Sequence, residues 1–272
     1  MNREKVISRE YKVVLKVENF VGSESVLKKQ AHSFWSKLKK AFKALPVACE
    51  GDLKEITTRR EIRFFDSADL TLRGMDYILR KRMNLDDNKK EVTLKFRHPD
   101  RYISQDRYML SRKVGKGETK FEEDIKMPFQ KLYSFSSTQP VDEQQHFLNL
   151  KEVARLYPGL KSEINKRKEE EKIFLVNDLS IREIVLTGAE IKLNDETQVG
   201  LECALIVWYD LKSFKSDPII VEFSFRYGNK KERYAGTTAK KVYDLFLWIQ
   251  KELQEWIDLK NLTKTGFVYD NK

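Results

Sequence analysis

The segment Ser8-Arg9-Glu10-Tyr11-Lys12-Val13-Val14-Leu15-Lys16 decides the fold, because its polar and apolar residues alternate. Alternation with a period of two places Glu10 and Lys12 on one face of a strand and the apolar residues on the other. A strand with one solvated face would show the same pattern. The distinguishing feature is that the polar face carries a carboxylate and an ammonium group side by side.

The same charged alternation recurs in residues 78–82, 93–97 and 220–226. Several strands with carboxylates and cations on one face favour a barrel or channel lined with charge. A closed barrel can keep a polar interior and bury its apolar exterior under helices. Such an interior suits a metal-chelated polyanion, in which cations hold phosphate and acids hold the metal.

The composition narrows the classes of protein and partner. The chain has 272 residues, a formal net charge of +10 and 40% hydrophobic residues, so it can form a substantial core and a polyanionic partner is plausible. Cys49 and Cys203 are far apart and form no metal or redox motif. No apolar run reaches membrane-spanning length, and we expect a soluble cytoplasmic protein with no membrane partner.

Periodicity predicts two strand groups with helices around them. Residues 23–46 show helical spacing of apolar residues and a lysine-rich opposite face. This pattern is typical of a helix that covers a sheet, and also of a helix that binds a membrane or a partner protein. Strands are predicted at 55–65, 76–83, 91–97, 108–114, 120–127, 164–168, 172–176, 181–193, 199–211 and 219–227. Serines 134, 136 and 137 indicate a loop, and helices are predicted at 142–157 and 237–259. We expect a single domain over residues 1–272, with inserted helical segments near 23–46 and 128–160.

Other motifs are interpreted as structural. The sequence Gly115-Lys116-Gly117 lacks the spacing of a phosphate-binding loop and is typical of a hairpin turn. His32, His98 and His146 show no metal-ligand spacing. We therefore expect neither a P-loop nor a histidine-based metal site.

Five segments, in this order, resemble the motifs of one family. They are Ser8-Arg9-Glu10-Tyr11-Lys12, the run from Phe64 to Arg73 that continues into Tyr77-Ile78-Leu79-Arg80-Lys81-Arg82, Thr93-Leu94-Lys95, Glu122-Glu123-Asp124, and Ile220-Val221-Glu222-Phe223-Ser224. The chain resembles the CYTH domain, or triphosphate tunnel metalloenzyme family, over most of its length. It departs from the family pattern at Ser8 and Ser224, where the family has acids.

The resemblance implies an α+β fold in which eight antiparallel strands close into a barrel with helices packed outside. It also implies divalent-metal-dependent hydrolysis of a triphosphate compound inside the tunnel. The substrate would be an inorganic, nucleoside or thiamine triphosphate, or another polyphosphate, and class IV adenylyl cyclase is a further activity of the family.

The resemblance also implies roles for individual residues. Glu10 and Glu222 would bind Mg²⁺ or Mn²⁺, and Glu122 and Asp124 would assist the metal or the water. The expected phosphate-binding residues are Lys12, Arg80, Arg82, Lys95 and Lys166. Lys166 and Lys168 would correspond to the family's downstream basic strand. Arg97 and Arg226 are weaker candidates.

Two alternatives stay open. Because Ser8 and Ser224 leave fewer carboxylates to fix a metal, the chain could bind a polyphosphate or nucleotide without cleaving it. The exposed lysines of the 24–45 helix could instead bind RNA or another partner, which predicts a steep salt dependence of binding. The organic part of the substrate and the oligomeric state are not encoded in the tunnel motifs.

Overall fold

The computed structural model describes residues 4–111, 117–142, 147–193, 199–213, 217–260 and 262–270. Its strands are β1 Ser8–Leu15, β2 Val47–Ser67, β3 Tyr77–Asn84, β4 Lys90–His98, β5 Glu118–Lys126, β6 Gln130–Val141, β7 Ile173–Leu193, β8 Gly200–Asp210 and β9 Ile220–Gly228. Its α-helices are α1 Glu24–Ala41, α2 Thr71–Gly74, α3 Arg101–Gln105, α4 Leu150–Leu156, α5 Lys166–Glu169, α6 Gly236–Glu252 and α7 Lys264–Asp270.

The strands form one closed barrel in the order β1-β5-β6-β4-β3-β2-β7-β8-β9, with β9 paired back to β1. The α+β barrel prediction is confirmed, but the described residues supply nine strands rather than eight. A closed ring with an odd number of strands must contain a parallel pair. That pair is β1 with β5, so the barrel is mixed rather than wholly antiparallel.

The strand beyond the expected eight is β6, which lies in the stretch 128–160 where the sequence predicts an inserted helical segment. Residues 130–141 form β6, between β4 and β5, and the serines predicted to lie in a loop alternate with Phe135 in this strand. Ser134 and Ser137 are fully buried. Later in that stretch, α4 is helical as predicted.

Other boundaries differ from the sequence prediction. The predicted strand at 108–114 is absent over Tyr108–Ser111, and its remainder lies outside the described residues, as do Lys116 and His146. The predicted strands at 172–176 and 181–193 are one strand, β7, which pairs with the equally long β2. Bulges divide this pairing, for example between Gly51 and Glu55.

Helices α1 and α6 cover the apolar outer face of one side of the barrel. Phe34 of α1 packs edge-to-face on Phe223 of β9, and Phe246 of α6 packs on Tyr11 of β1, with ring centroids 5.1 and 5.3 Å apart. These rings are fully buried. A second buried cluster joins the outer faces of β3 to β6 to α4. Burial of the barrel's exterior therefore leaves its interior for polar side chains.

The C-terminal helix α7 packs against apolar residues at one end of the tunnel. Val268 and Tyr269 belong to a buried cluster that also contains Phe64 and Trp208. Phe64 and Trp208 also line the barrel interior. None of the described helices combines the length and the apolar composition that crossing a membrane requires.

Candidate functional site

The barrel encloses a cavity of about 810 Å³. Among the described residues, ten basic and eight acidic side chains line it. They are Lys12, Arg60, Arg80, Arg82, Lys95, Arg97, Lys120, Lys126, Arg226 and Lys264, with Glu10, Glu91, Glu118, Glu122, Asp124, Glu183, Glu202 and Glu222. This is the charge-lined interior that the strand alternation predicts.

Most of the predicted site residues lie in this tunnel. The structure brings together Glu10, Lys12, Arg80, Arg82, Lys95, Glu122, Asp124 and Glu222. Lys166 is the exception: it is exposed on α5 and does not line the cavity. Its segment is a helical turn rather than a strand because the Asn165 side chain caps it, accepting a hydrogen bond from the Lys168 backbone N–H at 3.0 Å. Lys166 is therefore the predicted phosphate-binding residue that the structure does not bring together with the others.

Asp124 is the centre of one group of tunnel charges, which we call the Asp124 cluster: Glu10, Lys12, Lys95, Arg97 and Asp124. The Lys12 ammonium group lies 2.7 Å from the Asp124 carboxylate and 2.9 Å from that of Glu10. Lys95 and Arg97 lie 3.4 and 3.0 Å from the other Asp124 oxygen. The parallel pairing of β1 with β5 sets Glu10 opposite Asp124 and creates this arrangement.

The cluster shifts the pKa values of its members in opposite directions. Burial alone would raise the pKa of Asp124, but Lys12, Lys95 and Arg97 outweigh it and hold this pKa well below its usual range. Burial would lower the pKa of Lys12, but Asp124 and Glu10 raise it instead. For Lys95, burial and the neighbouring Arg97 dominate and lower the pKa to about 7. Lys95 is thus the member that can lose its proton near neutral pH.

A second group, the arginine cluster, consists of Arg60, Arg80, Arg82, Glu91 and Glu183. The pairing of β2 with β3 and β7, and of β3 with β4, brings these residues together. Arg60 forms an ion pair with Glu183, and Arg82 lies 3.2 Å from Glu91. Glu183 also accepts a hydrogen bond of 2.7 Å from the Trp208 indole. Despite its burial, the pKa of Glu183 falls to about 2, mainly because of Arg60.

Arg80 is the basic member of the arginine cluster that has no carboxylate partner among the described residues. Its Nε is buried without a hydrogen-bond acceptor, as is that of Arg82. Burial and the nearby Arg82 and Arg60 lower the pKa of Arg80. A guanidinium group nevertheless stays charged at neutral pH because its ordinary pKa exceeds 12. The cluster therefore holds one guanidinium group with no ion-pair partner among the described residues, although Glu183 and Glu91 act on it at longer range.

Glu222 is paired with a lysine from the C-terminal helix. The Lys264 ammonium group lies 2.8 Å from a Glu222 oxygen, and the Glu222 side chain is 4% exposed. Lys264 also lies 5.7 Å from the centre of the Trp208 ring. The neighbouring Thr265 accepts a hydrogen bond of 3.0 Å from Arg97, which ties α7 to the Asp124 cluster.

The predicted metal ligands Glu10 and Glu222 are not adjacent on the sheet, and each interacts with the lysine that pairs with the other. In the pairing of β1 with β9, Glu10 is opposite Arg226, whereas Glu222 is opposite Val14, four residues further along β1. Four residues of strand span about 13 Å. A lysine also neutralises each carboxylate. The described residues contain no group of three or more histidine, cysteine or acidic side chains placed to hold a metal ion. The residues present thus do not fit the two-carboxylate metal site.

Several tunnel residues were missed by the sequence analysis. Arg60 and Glu183 lie on strands with alternating patterns, so the period-two signal was sufficient to find them. Ser134, which donates a hydrogen bond of 2.8 Å to Asp124, was assigned to a loop. Lys264 follows the last predicted helix, and no sequence signal places it in the tunnel.

Comparisons with known proteins give only distant likenesses. No family model matches the chain, and no curated protein matches it. Among solved structures, the chain is similar to a candidate adenylyl cyclase from Hippeastrum, described with a dominant triphosphatase activity, at 12% identity and a TM-score of 0.46 over 98% of this chain and 97% of that one. It is also similar to a candidate adenylate cyclase from Bacillus halodurans, at 14% identity and a TM-score of 0.40 over 92% and 98%.

A third similar structure is a candidate adenylate cyclase from Vibrio parahaemolyticus, at 8% identity and a TM-score of 0.35 over 95% of this chain and 93% of that one. All three TM-scores lie below 0.5. The resemblance to the triphosphate tunnel family therefore stays a prediction from the motifs, and the function proposed below depends on the tunnel's own residues.

Proposed function

We propose that the tunnel binds the triphosphate group of a small molecule. The observation that carries this proposal is Arg80, which lines the cavity of the closed barrel. Its Nε is buried without an acceptor, and its guanidinium group has no carboxylate partner in the described part of the chain. A partly desolvated charge without an ion-pair partner lowers stability, and an external anion would offset this cost. A planar guanidinium group binds phosphate oxygens through two parallel hydrogen bonds.

The rest of the tunnel suits a chain of phosphates rather than a single one. Arg80 and Arg82 are on β3, Lys12 and Lys95 lie in the Asp124 cluster, and Lys264 enters from α7. Cations on several walls can contact successive phosphates of one linear ligand. The low-dielectric, enclosed setting strengthens each of these contacts relative to the same contact in water.

Hydrolysis of the bound triphosphate is the second candidate, and Glu122 favours it. This residue lines the cavity on β5 and has no ion-pair partner among the described residues. A carboxylate without a counterion can accept a proton from a water molecule and orient it. In this candidate Mg²⁺ or Mn²⁺ would enter chelated by the phosphates of the substrate, whose charge it would neutralise, rather than be held by Glu10 and Glu222.

Calorimetric titration tests the binding proposal. Tripolyphosphate, ATP and thiamine triphosphate are titrated into the wild type, Arg80→Met and the control Arg63→Met, with orthophosphate as a control ligand. Arg63 is on β2 but is half-exposed and paired with Glu61 outside the cavity. We expect Arg80→Met to lower triphosphate affinity about 30-fold or more, and Arg63→Met to leave it unchanged. Equal affinity in the wild type and Arg80→Met would refute the proposed site.

Phosphate release tests the second candidate. The same three ligands are incubated with Mg²⁺, Mn²⁺ or EDTA, comparing the wild type with Glu122→Gln and with Glu118→Gln, a change in an exposed residue at the cavity that pairs with Lys120. Metal-dependent release that only Glu122→Gln abolishes would establish hydrolysis. Triphosphate binding without phosphate release in Mg²⁺, Mn²⁺ and EDTA would exclude hydrolysis and support binding alone.

A further inference from the structure

The ion pair between Lys264 and Glu222 is formed inside the tunnel by elements far apart in the sequence. Glu222 is on β9, and Lys264 is the first residue of α7. Their charged atoms lie 2.8 Å apart, and the two side chains are 4% and 20% exposed. Both residues line the cavity. The pair is therefore part of the surface that a bound ligand contacts.

Among the described residues, Glu222 has one ion-pair partner, Lys264, and it also interacts with Lys12 at longer range. Its lateral neighbours are Val14 on β1 and Ile206 on β8, which are apolar. Mg²⁺ and Mn²⁺ require several oxygen ligands. The carboxylates of Glu10 and Glu183 also interact electrostatically with Lys264, so its ammonium group occupies the position to which such an ion would be attracted. A lysine ammonium group needs no such ligand set because it acts as a compact point charge.

Lys264 is held in place by its helix and by the tunnel wall. Val268 and Tyr269, on the same helix, are buried against Phe64 and Trp208. The Lys264 ammonium group lies over the Trp208 ring, and Thr265 accepts a hydrogen bond from Arg97. These contacts fix the ammonium group without help from a ligand.

We propose that Lys264 is a built-in counterion, which takes at Glu222 the place that a divalent metal would need, so that the tunnel binds a triphosphate group without metal. This inference rests on the proposed function. The ammonium group neutralises the Glu222 carboxylate, which would otherwise repel a polyanion. The Glu222 oxygen beside Lys264 accepts no hydrogen bond from the described residues, so the N–H donors of the ammonium group remain available to a phosphate oxygen while its charge offsets the carboxylate.

The first test measures tripolyphosphate affinity in EDTA for the wild type, Lys264→Met, Lys264→Gln and Lys260→Met. Lys260 is an exposed lysine that precedes α7 and serves as the matched control. We expect wild type and Lys260→Met to bind equally in EDTA, and both Lys264 variants to lose about tenfold or more in affinity. Wild-type binding that appears only when Mg²⁺ is added would overturn the inference, and this result requires no variant.

The second test measures the melting temperature with Mn²⁺ or Mg²⁺ and no phosphate ligand. Removing Lys264 exposes the Glu222 carboxylate to a metal, so we expect Mn²⁺ to raise the melting temperature of Lys264→Met by about 3 °C and that of the wild type by less than about 1 °C. Adding Glu222→Gln to Lys264→Met should remove the rise. Equal shifts in wild type and Lys264→Met would contradict the counterion role.

These tests separate the two proposals. A wild type that binds no triphosphate under any condition refutes the proposed function, whereas the metal-induced melting shift still decides whether Lys264 occupies the place of a metal. A wild type that binds tripolyphosphate with unchanged affinity in both Lys264 variants refutes the counterion role alone.

Discussion

The Asp124 cluster and the arginine cluster have the same number of acidic and the same number of basic side chains, but they differ in whether they can lose their surplus positive charge. Each contains three basic and two acidic side chains of the tunnel. The Asp124 cluster can lose its surplus charge, because the pKa of Lys95 is lowered to about 7. The arginine cluster cannot, since a guanidinium group stays protonated at neutral pH. The comparison shows that the choice between lysine and arginine decides which half of the tunnel keeps its surplus positive charge at neutral pH.

The largest effect is expected from removing the shared acid of the Asp124 cluster. Asp124→Asn leaves Lys12, Lys95 and Arg97 close together with one carboxylate, so the free energy of unfolding should fall by about 3–5 kcal/mol. Urea denaturation measures this change. Glu118→Gln, which removes an exposed pair with Lys120, should cost at most about 0.5 kcal/mol. Similar losses in the two variants would show that the cluster does not stabilise the fold.

Arg80→Lys converts the arginine cluster into a second titratable cluster. A lysine buried beside Arg82 and Arg60 should have a lowered pKa, so that it loses its charge as the pH rises. Tripolyphosphate affinity should stay within about fivefold of the wild type at pH 6 and fall about 30-fold below it at pH 9. Calorimetry at both pH values measures this, with Arg63→Lys as the control. An equal deficit at pH 6 and pH 9 would contradict the comparison.

Lys95 should make wild-type binding depend on pH. A bound polyanion favours protonated Lys95, so affinity should fall by about tenfold between pH 6 and pH 9, as the pH rises through its pKa of about 7. Lys95→Met should flatten this dependence, while Lys120→Met, at an exposed lysine of the cavity, should retain it. A wild-type profile identical to that of Lys95→Met would remove Lys95 from the binding site.

The same titration affects stability with a defined sign. The pKa of Lys95 in the folded protein lies below its ordinary value of about 10.4. Between about pH 7 and pH 10.4 the unfolded chain binds more protons, so the contribution of Lys95 to the free energy of unfolding rises with pH in this window. The difference in urea midpoint between the wild type and Lys95→Met should follow that direction.

The smallest effect is expected at a neutral donor. Ser134→Ala removes one hydrogen bond to Asp124, which retains its three cationic partners, so the free energy of unfolding should fall by about 1 kcal/mol. Ser25→Ala on the exposed face of α1 should change it by less than about 0.5 kcal/mol. Urea denaturation of both variants would rank the neutral contact against the ionic ones, and a loss as large as that of Asp124→Asn would reverse this ranking.

The sequence predicts the tunnel better than it predicts the barrel. Alternation identifies inward positions within a strand, and eight of the nine predicted site residues lie in the cavity as a result. The parallel pairing of β1 with β5 depends on the spatial order of strands, which no local pattern contains. The serines of β6 favour loops by propensity, but in the barrel Ser134 fits beside the crowded cations and bonds Asp124.

The ion pairs inside the tunnel could not be predicted from the sequence. The motifs indicate which acids face inward, but a carboxylate can hold a metal only if no cation of the chain neutralises it. That condition fails for Glu10 because of Lys12, two residues away on the same strand face. It fails for Glu222 because of Lys264, which reaches the tunnel through the packing of α7. Only long-range contacts decide the second case.

The pairing of β1 with β9 has a consequence for the synthesis of the protein. The first strand emerges from the ribosome long before its partner, and the barrel cannot close until residues 220–228 have been made. Until then, the sheet has two unpaired edges and its inward charges face water. A fold that depends on such distant contacts forms slowly, since chain closure must precede the contacts that stabilise it. A nascent chain that stops before β9 therefore leaves an open, aggregation-prone sheet rather than a partly working tunnel.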